Sequence, residues 1–242
     1  MSAFPDLAPI GALLGEPRRA AILAELMDGR PLTAGELAAR AGVSPSTASS
    51  HLARLVQGGL LAVAREGRHR HYRLAGPRVA AALETLAALA PPSPPADPFD
   101  REVLSGLRFA RTCYGHLAGR LGVAVRDRLV ELRLLVPDGI EHRVTPAGEE
   151  WFAGFGVDLG AARRARRSFA RSCVDWTERR PHLAGAVGDA LLAALLERDW
   201  IRRRAGERAV DLTEAGAMGL AATLGPLGAH STPVTLPDAS VV

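Results

Sequence analysis

The sequence of 242 residues contains no lysine, and all 30 of its basic residues are arginine. It has only two cysteines, Cys113 and Cys173, and aromatic residues make up 5% of the chain. Two cysteines without a recognisable secretion signal argue against a disulfide framework and leave redox or metal roles open. No apolar run reaches the roughly 18 residues of a membrane span. We therefore expect a cytoplasmic protein with no membrane partner.

The arginines are concentrated in one part of the chain. Seven of them lie between Arg40 and Arg78, where Glu66 is the only acidic residue, although the net charge of the whole chain is +4. A local excess of positive charge is typical of a surface that faces a polyanion. Because a guanidinium binds phosphate and guanine bidentately, this distribution indicates a nucleic-acid-binding region.

A proline-rich segment divides the chain. Five prolines fall within residues 90–98, which excludes a helix and favours an extended spacer. We expect an N-terminal domain over residues 1–90 and a linker over 91–98. A C-terminal effector or dimerisation domain is expected over 99–226, followed by a flexible tail over 227–242.

Apolar residues recur at helical spacing through the N-terminal domain. The predicted helices are Ile10–Leu14, Ala20–Met27, Leu32–Ala39, Pro45–Gln57 and Pro77–Leu89. Thr33 and Glu36 have the spacing of a capping box, and Ser44 before Pro45 is typical of a helix start. Alternating residues around a central glycine predict a β-hairpin from Leu60–Arg65 and His69–Leu74.

The helix from Pro45 to Gln57 has two distinct faces. Residues at spacings of three and four predict a buried face of Ala48, Leu52, Leu55 and Val56. Short residues on the opposite side would let the helix lie in the roughly 12 Å wide major groove, with arginines of the helix edge and hairpin tip near phosphates. The predicted DNA-binding residues are Ser46, Thr47, Ser49, Ser50, Arg54, Arg68 and Arg70. The alternative interpretation is that the serines only face solvent and that the basic hairpin is an ordinary exposed turn, without any contact to DNA.

Residues 37–74 contain an ordered series of motifs. The series is Leu37-Ala-Ala-Arg-Ala-Gly42-Val43-Ser44, Ser46-Thr47, Ser50-His51-Leu52-Ala-Arg-Leu55, Gly59-Leu60-Leu61 and Arg65-x-Gly67-Arg68-x3-Tyr72-x-Leu74. It resembles the arsenic-repressor type (ArsR/SmtB) of bacterial winged-helix regulators. The resemblance implies a homodimer paired through its first and last helices that binds a pseudo-palindromic double-stranded operator, usually as a repressor. It also implies base contacts by Ser46, Ser49 and Ser50, whereas Pro45 departs from a position that is often polar.

Metal-sensing members of that family carry ligands at two known places. These are cysteines in the helix before the recognition helix, or histidine and acidic pairs in the last helix of the DNA-binding domain. Residues 36–42 and 77–89 occupy these places here and contain neither cysteine nor histidine. We therefore predict no metal at either family site and no cofactor.

The C-terminal domain contains an internal duplication. Three pairs of segments match in the same order: Phe109–Cys113 with Phe169–Cys173, His116–Gly119 with His182–Gly185, and Val144–Gly148 with Leu212–Gly216. Such ordered matches indicate two repeats, at about 103–157 and 163–225, each of which is expected to end like a winged helix. The predicted fold class is therefore mainly α (α+β), with an N-terminal winged helix-turn-helix domain followed by two tandem winged-helix-like repeats.

The duplication suggests a place for an effector. A pseudo-twofold axis between the repeats would bring Cys113 and Cys173, and with them His116 and His182, toward one another. Two such thiols would form a sensor for a soft metal, a metalloid or an oxidant. The alternative is a pair of copied cysteines that only fill the core.

Other interpretations of the C-terminal domain stay open. Trp176 and the other two tryptophans would either line a pocket for a small organic effector or fill the core. Cys113 and His116 lie three residues apart on a possible helix but lack a third, orienting group, and no phosphate loop or carboxylate pair is present, so we predict no enzymatic activity. An interaction module without any ligand is the remaining alternative.

Overall fold

The computed structural model describes residues 5–67, 69–91, 105–113 and 115–227. The chain divides into two compact units, residues 1–83 with 205–207 and residues 84–204 with 208–242. Of the predicted linker (91–98) and the predicted tail (227–242), only residues 91 and 227 are described. Arg68 lies outside the described residues as well. Within the described ranges, no helix is long and apolar enough to cross a membrane.

The first unit combines helices with a small antiparallel sheet. Its helices are α1 (Ala8–Leu14), α2 (Pro17–Glu25), α3 (Ala34–Ala41), α4 (Pro45–Gln57) and α5 (Pro77–Leu89), the last of which runs on into the second unit. Its strands are β1 (Leu32–Thr33), β2 (Leu61–Glu66) and β3 (His69–Leu74), in the order β1-β3-β2. This succession of helices and hairpin confirms the predicted winged helix-turn-helix fold.

Local signals determine where α3 and α4 begin and end. The Thr33 hydroxyl accepts a hydrogen bond from the Glu36 amide, and the Glu36 carboxylate accepts one from the Thr33 amide, so the predicted capping box is present. Gly42 ends α3 with φ +62°, a left-handed conformation that glycine adopts at little cost. The predicted start of α3 was two residues early, because Leu32 is extended and pairs with Tyr72.

The second unit contains the same order of elements twice. The first set is α6 (105–109), β4 (Arg111–Cys113), β5 (His116–Ala118), α7 (Gly119–Glu131), β6 (Leu135–Asp138), β7 (Glu141–Val144) and α8 (Pro146–Gly154). The second set is α9 (Leu159–Arg164), β8 (Arg171–Val174), β9 (Pro181–Ala184), α10 (Gly185–Glu197), β10 (Ile201–Arg203), β11 (Val210–Leu212) and α11 (Glu214–Leu224). Strands β6-β7-β8-β9 form one sheet, and β4-β5 and β10-β11 form two-stranded sheets.

The structure corrects one prediction in this unit. The possible helix through Cys113 and His116 is wrong, because these residues lie on β4 and β5 and face each other across a hairpin. Gly115, directly before β5, lies in a turn, and glycine is typical of hairpin loops. Short strands of three residues carry too little periodicity to be recognised in a sequence.

The repeated His-Leu-Ala-Gly motif ends in a glycine in both copies, at the first residue of α7 and of α10. Gly119 and Gly185 begin α7 and α10 with φ of +79° and +82°. A Cβ atom at Gly119 would lie 2.9 Å from the Arg108 carbonyl oxygen, and one at Gly185 would lie 2.7 Å from that of Ser168. Both the backbone conformation and the close approach therefore require glycine at the two equivalent positions.

The two sets of elements share one hydrophobic core. Helix α7 packs on β9 of the second set, and α10 packs on β5 of the first. Buried residues from both sets belong to the same cluster, among them Leu121, Leu129, Phe152, Val187, Leu195 and Leu220. Neither set therefore folds around a core of its own.

Candidate functional site

The polar face of α4 is exposed to solvent. Ala48, Leu52 and Leu55 are fully buried, as predicted, while Val56 is only partly buried. The predicted contact residues of this helix are all exposed: Ser46, Thr47, Ser49, Ser50 and Arg54. The helix therefore presents a row of short side chains with a basic residue at its margin.

Hydroxyl groups at the start of α4 are held by local hydrogen bonds. The Ser44 hydroxyl accepts from the Thr47 amide at 3.2 Å and lies 2.9 Å from the Ser46 hydroxyl. The Ser49 hydroxyl donates to the Pro45 carbonyl oxygen at 2.9 Å. Because a hydroxyl that donates inward keeps its acceptor lone pairs, Ser49 can accept hydrogen bonds from amino groups of bases.

Contacts between helices fix the position of α3 and α4. The Arg18 guanidinium donates to the Ala41 carbonyl oxygen at 2.9 Å, next to the turn between the two helices. Arg40 forms an ion pair with Glu25 at 2.8 Å, so this arginine links α3 to α2 rather than facing outward. A rigid support of this kind is what a reading helix needs to hold its side chains in register with base edges.

The hairpin of β2 and β3 carries a pair of opposed arginines. Arg65 and Arg70 are directly opposite each other in the antiparallel register, and both are exposed. They lie on the same side of the hairpin as Tyr72 and Leu74, which are buried. Since like charges in directly opposed positions repel, this arrangement favours an anion between or beside them. Arg65 was not among the predicted contact residues, although the period of two along β2 places it on the same side as Leu61 and Val63.

The structure brings together the four cysteine and histidine residues of the duplicated motifs. One side-chain atom each of Cys113, His116, Cys173 and His182 lies within 4.8 Å of the corresponding atoms of the others. Cys113 pairs with His116 across the first hairpin, and Cys173 pairs with His182 across the second. Both cysteines are free thiols, and all but Cys173 of the four are buried.

Hydrogen bonds perturb the acidity of the cluster. The contact with Cys173, followed by burial, raises the pKa of Cys113. The contact with Cys113 outweighs burial and, with hydrogen bonds from both histidines, lowers the pKa of Cys173. Burial opposes the charged form of His116, but the nearby Asp189 carboxylate and Cys173 raise the pKa of this imidazole.

A buried ion pair supports the cluster from one side. Arg111 and Asp175 are almost fully buried and lie 2.9 Å apart. The Asp175 carboxylate also accepts from the Gly119 amide at 2.6 Å and from Thr177. Burial alone would raise the pKa of Asp175, but the charges of Arg111 and His182 together with these hydrogen bonds lower it.

The three tryptophans make contacts in two different places. Trp151 stacks on Phe155 with ring centres 4.8 Å apart, and Trp200 meets the edge of the same ring. Trp176 lies elsewhere, with the Arg111 guanidinium 4.9 Å from its ring centre. A cavity of about 490 Å³ is lined by residues of α8, α9 and the segment between them, and no tryptophan contributes to it.

Two comparisons with known sequences concern different lengths of the chain. A helix-turn-helix domain family matches residues 14–64. Over 212 residues the chain is 43% identical to YdfF of Bacillus subtilis (strain 168), an uncharacterized HTH-type transcriptional regulator, a match that covers 88% of this chain and 94% of YdfF. Over 80 residues it is 41% identical to the HTH-type transcriptional regulator CmtR of Mycobacterium tuberculosis (strain ATCC 25618 / H37Rv), which covers 33% of this chain and 67% of CmtR.

Among solved structures, the chain is similar to a homodimeric winged helix-turn-helix DNA-binding domain from Mycobacterium bovis, described as a possible ArsR-family transcriptional regulator. The identity is 31%, the match covers 37% of this chain and 89% of that one, and the TM-score is 0.33.

Fold and site together define a winged helix-turn-helix protein with a DNA-binding helix. The long match to YdfF shows that the chain belongs to the helix-turn-helix transcriptional regulators. This membership identifies a regulator rather than an enzyme, as the sequence predicts.

Proposed function

We propose that this regulator is a homodimeric repressor that binds a pseudo-palindromic operator with α4 in the major groove and the β2-β3 hairpin against the backbone. The exposed polar face of α4 carries this proposal, because its short side chains stand on a helix whose other side is anchored by the buried Ala48, Leu52 and Leu55. Ser46, Thr47, Ser49 and Ser50 would contact base edges. Arg54, Arg65 and Arg70 would contact phosphates, as would Arg68, which lies outside the described residues.

Exposed apolar residues on the first and last helices of the DNA-binding domain support a dimer. Helix α1 buries none of its residues in the single chain, and Leu7 before it is 72% exposed. On α5, Leu86 and Leu89 are 47% and 79% exposed. Apolar side chains left in water on these helices favour burial against a second copy, which the family resemblance places there.

For the second unit we propose two tandem winged-helix-like repeats that act as an effector or dimerisation domain. The repeated order of hairpin, long helix, hairpin and helix supports this proposal. Residues 99–226 would then carry the response of the regulator, and residues 1–90 would bind DNA.

The DNA proposal is tested by removing the opposed arginines of the hairpin. Affinity for the protein's own upstream DNA would be measured over a range of salt concentrations for the wild type and for Arg65→Ala, Arg70→Ala. We expect weaker binding and a log-log salt slope reduced by about 0.9 for each phosphate that is no longer neutralised. Arg143→Ala removes another exposed arginine, in the second unit, and is the control expected to leave the slope unchanged. Wild-type affinity and slope in the double variant would contradict the assignment.

A further inference from the structure

Four potential metal ligands meet where the hairpins β4-β5 and β8-β9 approach each other. Each hairpin contributes one cysteine and one histidine as directly opposed residues, so their side chains leave the same side of the hairpin. The two imidazole Nε2 atoms, of His116 and His182, are only 3.1 Å apart. All four ligand atoms lie within 4.8 Å of one another.

We propose that Cys113, His116, Cys173 and His182 bind one divalent metal ion of the zinc class in tetrahedral coordination. With metal–nitrogen bonds of about 2.0–2.1 Å and metal–sulfur bonds of about 2.3 Å, a tetrahedron separates two nitrogens by about 3.3 Å and two sulfurs by about 3.8 Å. The observed 3.1 Å between the imidazole nitrogens is close to that spacing. Two thiolates with two imidazoles form a donor set that suits zinc.

The outer nitrogen of each imidazole faces a carboxylate. His116 Nδ1 lies 3.7 Å from Asp189 Oδ1, and His182 Nδ1 lies 3.5 Å from Asp175 Oδ2. A carboxylate behind a histidine fixes its tautomer and directs the other nitrogen toward a metal. Neither Nδ1 atom has a hydrogen-bond partner within the part of the chain that the structure describes. A small movement of either ring would let its Nδ1 donate to the nearby carboxylate.

A bound cation would also accept a lone pair from each of the two Nε2 atoms, which face each other. Two neutral imidazoles that point Nε2 at each other form at most one hydrogen bond, and only one of them then keeps its Nδ1 proton for the carboxylate. With a cation between them, both Nε2 atoms donate a lone pair to the metal, and both Nδ1 protons remain for Asp175 and Asp189. The arrangement therefore fits a metal better than a histidine pair.

Charge and protons balance in the loaded site. A divalent ion binds the cysteines as thiolates and the histidines as neutral imidazoles, so protons held by the metal-free cluster are released to solvent and the four ligands and the ion together are neutral. The Cys113 thiol, which donates to Glu84 at 2.8 Å, gives up that hydrogen bond, while Glu84 keeps its ion pair with Arg208. With four protein ligands and no open position, the ion would hold the two hairpins together rather than activate water.

This site differs from the two metal positions of the ArsR/SmtB family, which contain no cysteine or histidine here. It also accounts for a feature that a core-filling role leaves unexplained. A cysteine that only fills space has no need of a neighbouring histidine, yet each copy of the motif carries both. A disulfide would use the sulfurs alone and would likewise leave the paired histidines without a role.

The proposal is tested on the full chain, purified under reducing conditions and freed of metal with a chelator. The apo protein would be titrated with Zn²⁺ against a chromophoric chelator and separately with Co²⁺, whose absorption reports tetrahedral and thiolate coordination. We expect one ion per chain, proton release into a weak buffer and a higher melting temperature that the chelator reverses.

Single substitutions of the proposed ligands test which residues bind the ion. Cys113→Ser, Cys173→Ser, His116→Gln and His182→Gln should each weaken zinc binding by more than about 100-fold, and Asp189→Asn, which removes one supporting carboxylate, by about 10- to 100-fold. His142→Gln replaces another buried histidine of the same unit and should bind zinc like the wild type. Circular dichroism of each apo variant separates loss of ligand from loss of fold.

Three results would overturn the proposal. One is a folded, reduced wild type that binds neither ion. Another is stoichiometric zinc binding that survives in the Cys113→Ser, Cys173→Ser double variant. The third is an apo protein that forms a disulfide between Cys113 and Cys173 under mild oxidation and shows no affinity for zinc when reduced, which would make the cluster a redox pair.

Discussion

Individual residues serve two different purposes in this protein. On α4, exposed hydroxyls are accessible to a molecule outside the chain, whereas in the second unit Arg111 and Asp175 are buried in the interior. A buried charge is stable only when it is paired, because its hydration is lost on folding. The two groups of residues therefore respond to substitution in different assays, one in DNA binding and the other in stability.

Replacing Ser50 by alanine should weaken specific binding without affecting the fold. The side chain is exposed on α4, so its removal changes no packing, and one hydrogen bond to a base edge contributes about 0.5 to 1.5 kcal/mol. We expect affinity for the operator to fall several-fold and affinity for unrelated DNA to stay unchanged, as measured by fluorescence anisotropy at fixed salt. Equal losses on both DNAs would show that Ser50 does not contact a base.

Replacing Asp175 by asparagine should destabilise the second unit. The change breaks a buried ion pair and leaves Arg111 with Glu84, 4.0 Å away, as its remaining carboxylate partner, which costs about 3 to 5 kcal/mol. Urea denaturation of chelator-treated protein measures the loss, and Asp138→Asn at an exposed carboxylate is the matched control. A double variant that also replaces Arg111 by methionine should recover part of the stability, and a loss below about 1 kcal/mol in the single variant would contradict the role given to this pair.

Elements of the first unit were predictable because strong local signals agree with the tertiary structure. The capping box at Thr33, the N-cap at Ser44 and the glycine-centred hairpin each mark an element boundary within a few residues. In the second unit the sequence predicted the duplication and the helix starts at Thr145 and Thr213, which cap α8 and α11. The hairpins β4-β5 and β8-β9 were not predicted, because strands of three or four residues depend on their partners for stability.

The sequence predicted the exposed face of α4 and the pairing of the two cysteines, but it did not predict the carboxylates behind the histidines. Periodicity on α4 separated its buried and exposed faces, since a helix with one apolar face has a single way to pack. The meeting of Cys113 with Cys173 followed from the duplication, which placed equivalent residues near one pseudo-axis. The carboxylates at Asp175 and Asp189 could not be predicted, because they come from the second copy only and have no counterpart in the first.

The start of α7 is expected to be sensitive to a single methyl group. In Gly119→Ala the added Cβ would lie 2.9 Å from a backbone carbonyl oxygen, at φ +79°. A left-handed conformation at a residue with a side chain costs about 1 to 3 kcal/mol, to which the steric contact adds. Thermal denaturation should show a lower melting temperature for Gly119→Ala than for Gly154→Ala, where a Cβ meets nothing within 4 Å. Equal melting temperatures would exclude strain at Gly119.

At the scale of the whole molecule, we expect assembly through the exposed apolar helices. Analytical ultracentrifugation should show a dimer for the wild type and a shift toward monomer for Leu86→Glu, Leu89→Glu, because charges at a buried interface lose their hydration. A melting temperature that rises with protein concentration would give the same conclusion. Substitution of Met218, which is 63% exposed on α11, by glutamate is the control expected to leave the dimer intact. A wild type that stays monomeric at all concentrations would contradict the dimer.

The central claim is that α4 and the β2-β3 hairpin form a surface that binds duplex DNA. The most direct test measures binding of the wild-type protein to its own upstream DNA, and to an unrelated duplex of equal length, at several salt concentrations. We expect the upstream fragment to bind about 10³-fold tighter or more, with a log-log slope of about −0.9 for each phosphate contacted. Binding that is absent, or that does not depend on salt with either duplex, would contradict this claim.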